Sequence, residues 1–67
     1  MDRLAVGRRL ISLRGSRSQQ EVARENLISV SALGMYECGE RIPRDDVKSR
    51  LAKYYDTTVQ ALFYADE

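Results

Sequence analysis

Few residues in this chain are equipped for chemistry. Histidine is absent, so the side chain that titrates near neutral pH and most often binds metals is missing. The single cysteine, Cys38, can form no internal disulfide, which fits a reducing compartment. With no histidine to activate it, Cys38 reads as a small packing residue rather than a nucleophile or metal ligand. Asp45 and Asp46 are adjacent; at a helix start the pair is better explained by the favourable dipole end than by metal binding. No glycine-rich phosphate loop is present. No catalysis, cofactor or metal is expected. Charge and hydrogen bonding remain. The net charge is +1, unevenly spread. Residues 1–24 carry six Arg against Asp2 and Glu21, a balance of +4, whereas residues 25–67 carry five Arg or Lys against eight Asp or Glu, a balance of −3. A basic half can face a polyanion. Ordinary solvated charge gives the same count, and on charge alone it is the simpler account.

These side chains must be positioned by very little chain. Sixty-seven residues leave room for one domain, residues 1–67, and no second. A domain of that size buries only about 60% of its unfolded surface and must be helix-rich, stapled or paired. Hydrophobic residues at 43% and charged residues at 31% exclude an acidic disordered tail. No apolar stretch approaches the roughly 18–20 residues a membrane span needs. No charged-then-apolar leader pattern opens the chain, so export is not expected.

The apolar spacing predicts helices throughout. Val6, Leu10 and Leu13 predict a first helix over about 3–14, ended by Gly15 and Ser16. Ser18-Gln19-Gln20-Glu21 has the form of a capping box and starts a second over about 19–25, burying Val22 and Ala23. Ser29 is the next N-cap, for a third helix over about 30–37 with Leu33 and Tyr36 inside. Gly39 suits its stop. After the loop 39–44, Val47, Leu51, Ala52 and Tyr55 predict a fourth helix beginning at Arg44 or Asp45. Thr58 caps a last one over about 59–64, carrying Val59, Leu62 and Phe63. No segment alternates with period two. The predicted fold is all-α: a compact five-helix bundle in which two short helices are joined by Asn26-Leu27-Ile28-Ser29.

That layout, with the residues that fill it, resembles the phage-repressor (XRE) family of helix-turn-helix domains, of the lambda-repressor-like fold. Leu10-Ile11-Ser12-Leu13-Arg14 carries the likeness on the first helix and Ser18-Gln19-Gln20-Glu21-Val22-Ala23 on the second. It continues through Ile28 to Gly39, Pro43, Leu51 to Tyr55 and Val59 to Phe63, so it spans residues 6–63. The resemblance implies a double-stranded DNA partner. Helix 30–37 would lie in the major groove with Val30, Ser31, Gly34 and Met35 facing the bases. Gln19, Ser29, Arg41, Arg44 and Arg17 would meet the phosphate backbone. Arg14 and Glu37 would form the structural ion pair that joins the first helix to the end of the third. Family members usually bind paired half-sites as dimers, and Tyr54 and Tyr64, spare aromatics on so small a domain, are candidates for a two-fold interface.

The resemblance thus implies a cytoplasmic, bacterial or phage-like transcriptional regulator, a repressor on a palindromic operator. No effector domain follows within the 67 residues, so regulation is expected from dimerisation, protein level or a partner chain, unless these residues are cut from a longer protein. Three features depart from the family pattern. The base-facing set contains no Arg, Gln or Asn, the side chains that bond bidentately to guanine or adenine. The turn Gly15-Ser16-Arg17 is about two residues shorter than the commonest form. Leu27 stands where the family usually has glycine, and we expect Asn26 to take the corner that needs a positive φ. The weak base-reading set and near-zero net charge leave a second reading open: a helix-turn-helix module that binds protein, such as an antitoxin or adaptor.

Overall fold

A computed structural model describes residues 1–66. Five helices follow in order: α1 Arg3–Arg14, α2 Gln19–Glu25, α3 Val30–Glu37, α4 Asp45–Tyr54 and α5 Val59–Phe63. No strand occurs among the described residues. The predicted boundaries hold because the caps were legible. Ser18 Oγ accepts the Glu21 amide at 3.0 Å, Ser29 Oγ the Ala32 amide at 2.9 Å, and Thr58 Oγ1 the Ala61 amide at 3.0 Å. Each such cap is worth about 1 kcal/mol. The return half of the box, from Glu21 to the Ser18 amide, is not among these bonds. α1 has a cap the periodicity did not reveal: Asp2 Oδ1 accepts the amides of Leu4 and Ala5, each at 3.1 Å. Gly15 ends α1 at φ 57°, a conformation that suits a residue without Cβ.

The apolar stripes meet in one core. Val6 and Leu10 of α1, Val22 of α2, Leu33 of α3, Leu51 of α4 and Phe63 of α5 are each 0% exposed. Burying a side chain of this kind contributes about 1.5–3 kcal/mol. Leu13 and Val59 pack against this core half-buried. Gly7 sets the closest approach within it. A Cβ there would overlap the Glu37 carbonyl oxygen, so α1 crosses the end of α3 backbone to backbone.

Two expectations are corrected. The corner after α2 is Leu27, at φ 60°, and not Asn26, which sits at φ −108°. The reason is burial. Asn26 is 2% exposed and its amide must be satisfied. Its Nδ2 donates to Val22 O at 2.8 Å, and its carbonyl accepts from Arg50 Nε at 2.9 Å. The outward corner falls to the next residue. Tyr54 and Tyr64 are not spare either. Both are half-buried against the core. Tyr54 packs edge-on against Tyr55, centroids 5.1 Å apart. The Tyr64 hydroxyl accepts from Lys48 Nζ at 2.8 Å. Lys48 itself is buried, and that hydrogen bond raises its pKa against the opposing effect of burial.

Candidate functional site

The candidate site is assembled around one carboxylate. Glu37, the last residue of α3, has a side chain only 4% exposed. Its Oε2 accepts from Arg14 Nε at 2.7 Å, and its Oε1 from Arg14 Nη2 at 3.2 Å. Oε1 also accepts from Gln19 Nε2 at 2.7 Å. Arg14 Nη1 donates in turn to Arg17 O at 2.8 Å. The end of α1, the start of α2 and the end of α3 are therefore tied to one group. The hydrogen bond to Glu37 holds the Arg14 guanidinium above its ordinary pKa, so it stays charged. Removing one partner from such a buried pair costs about 3–5 kcal/mol, because the other charge is stranded.

The expected phosphate-facing residues fall into two groups. Arg41 and Arg44 are exposed, and neither guanidinium has a hydrogen bond or ion pair among the described residues, while Pro43 between them is buried. The loop is thus anchored by its proline and turns both guanidinium groups to solvent. Ser29 is exposed, with its oxygen capping α3 and its hydroxyl proton free to donate. Gln19 is half-buried, and Glu37 takes one of its two amide protons. Arg17 is bound inside the chain. Its Nη2 donates to Leu13 O at 2.9 Å and its Nε to Arg14 O at 3.3 Å. Its guanidinium lies 5.2 Å from the ring centroids of both Tyr54 and Tyr55. These bonds satisfy carbonyls at the end of α1, and a phosphate would have to compete with them.

On α3, Val30 is 41% exposed, Ser31 is exposed, and Gly34 and Met35 are half-buried. A Cβ built on Gly34 would meet nothing within 4 Å, so the surface in front of it is open. Cys38 is exposed, with Sγ 3.6 Å from Met35 O. That corrects its reading as a packing residue. Cys38 follows Ser31 by seven and Gly34 by four, so all three share one side of the helix, and that spacing was available in the sequence. Gly7 gave no comparable signal, since a glycine inside a helix resembles a simple propensity defect.

Comparison with known proteins supplies the context for this arrangement. A family model described as Helix-turn-helix matches residues 9–62. No curated protein and no solved structure matches the chain.

Proposed function

The chain belongs to the phage-repressor (XRE) type of helix-turn-helix family, and on that premise we propose that it is a transcriptional repressor binding a palindromic operator as a homodimer. In this reading α3 lies in the major groove with Val30, Ser31, Gly34 and Met35 toward the bases. Gln19, Ser29, Arg41 and Arg44 meet phosphates on either side. The observation that carries it is the open α3 surface, held at its end by the Arg14–Glu37–Gln19 network, beside two solvent-facing arginines. Ser31 can bond either base type, while Val30 and Met35 suit a thymine methyl. Direct readout from this set is modest, and DNA shape contributes the rest of the selectivity. A two-fold protein on a two-fold site doubles what each half reads. Tyr54 and Tyr64, both half-buried, are the candidate aromatics for that interface.

The test is selection from a random duplex pool with the purified chain, at low and at physiological salt. An enriched palindrome is the expected result. Binding that disappears with salt and enriches nothing would overturn operator reading. The absence of Arg, Asn and Gln at the four α3 positions favours one second reading, a protein-binding module such as an antitoxin or adaptor. In that case binding to the partner would hardly change with salt, whereas duplex binding falls steeply.

A further inference from the structure

Nine arginines occur in the chain, and the fold sorts them. Arg9 is held by Leu62 O and Asp66, Arg14 by Glu37, Arg17 by the end of α1, and Arg50 by Asn26 O and Asp46. Arg3 is different. It is exposed on the first turn of α1, and its guanidinium has no hydrogen bond or ion pair among the described residues. The neighbouring Asp2 carboxylate turns to the helix amides instead.

The position of Arg3 is defined by two contacts. Its carbonyl oxygen would lie 3.3 Å from a Cβ on Gly39, as would the Leu4 Cα. The first turn of α1 therefore abuts the start of the loop that carries Arg41 and Arg44. Arg3 also precedes Gly7 by four residues, so both lie on the side of α1 that meets the end of α3. Arg8, equally exposed and unpartnered among the described residues, lies roughly 140° further round the helix.

We propose that Arg3 is a further phosphate-contact residue, which extends the DNA-backbone surface of loop 39–44 onto the first turn of α1. This rests on the DNA-binding reading above. Arg3, Arg41 and Arg44 together form a basic rim at the C-terminal end of α3. Glu40 lies within the rim and is exposed, but it forms no ion pair with any of the three. A rim contact of this kind adds affinity for every duplex sequence alike, because phosphates carry no base information.

The experiment compares the full chain with Arg3→Gln, Arg3→Lys and Arg8→Gln in titrations of a fluorescent duplex from about 50 to 200 mM salt. Losing one phosphate contact lowers the log–log salt slope by about 0.9. Arg3→Gln should show that loss and weaken binding several-fold on any sequence, with an unchanged melting temperature. Arg3→Lys should keep the slope, and Arg8→Gln should keep both slope and affinity. A wild-type slope in Arg3→Gln would overturn the proposal, as would an equal loss in Arg8→Gln, which would make net charge the cause. If the unmodified chain shows no salt-dependent duplex binding, the DNA reading itself fails; if it binds and Arg3→Gln matches it, only the rim fails.

Discussion

The chain builds the same turn twice. After α2 the sequence runs Asn26-Leu27-Ile28-Ser29, and after α4 it runs Tyr55-Asp56-Thr57-Thr58. In each, the first residue ends the helix buried, and the second takes positive φ, 60° at Leu27 and 56° at Asp56. In each, the third amide reaches back to a helix carbonyl, Ile28 to Ala23 at 3.0 Å and Thr57 to Ala52 at 2.9 Å. The fourth residue caps the next helix through its hydroxyl. Backbone geometry therefore does not distinguish α3, the proposed recognition helix, from α5. The difference lies in the helix that each turn introduces. α5 has five residues and buries Leu62 and Phe63, closing the core. α3 has eight, buries Leu33, Tyr36 and Glu37, and keeps Val30 and Ser31 outside. The α2–α3 pair is also held from outside by Arg14 and Arg50, whereas no equivalent bond reaches the hydroxyl of Tyr55.

That contrast can be broken most severely at its anchor. Arg14→Met should cost about 3–5 kcal/mol by stranding the buried Glu37, read as a lowered melting temperature. An unchanged value would mean that the network does not set α3. The orphan hydroxyl of Tyr55 gives the next largest effect, seen only at high pH. Burial raises its pKa from 10.0 to about 12. The unfolded chain loses this proton first, so stability is fully present below about pH 10 and declines as the pH climbs toward 12. Lys48, also raised, contributes a loss of the same sign. Tyr55→Phe should therefore flatten the alkaline decline without abolishing it, measured by denaturant unfolding across pH 9–12. An identical slope in the variant would place the cause elsewhere.

The caps sharpen the comparison. Ser29→Ala and Thr58→Ala should each cost about 1 kcal/mol in urea unfolding, but only Ser29→Ala should also weaken duplex binding. Equal binding losses would erase the distinction between the two turns. The smallest effect is at the corners. Aspartate tolerates the left-handed region and leucine does not, and Leu27 is also 79% exposed. Leu27→Gly should stabilise the chain by about 0.5–1 kcal/mol, while Asp56→Gly should gain less. A loss at Leu27→Gly would mean that the leucine side chain makes a stabilising contact.

The uneven legibility of the fold has a physical cause. Ser18, Ser29 and Thr58 act on amides three residues away, so helix starts could be read from local sequence. Val22, Leu33 and Phe63 revealed themselves by period. The features that stayed hidden depend on distant partners. Nothing near Arg50 announces a bond to the Asn26 carbonyl, and nothing near Gly7 announces the Glu37 backbone. Lys48 looks like a solvated charge until Tyr64 folds over it. At the site, the family resemblance supplied Arg14 and Glu37, yet the bond from Gln19 to the same carboxylate emerged only in three dimensions.

Gly34 has a consequence for how such a domain could diversify. It occupies the middle of an eight-residue helix, where alanine would be favoured by about 0.8–1 kcal/mol, and a new side chain there meets empty space. Most changes of specificity trade away some folding stability. If α3 reads bases as proposed, a lineage could acquire a glutamine or arginine at this position and gain helix stability in the same step, so an altered base preference would lie one substitution away with no folding barrier in between.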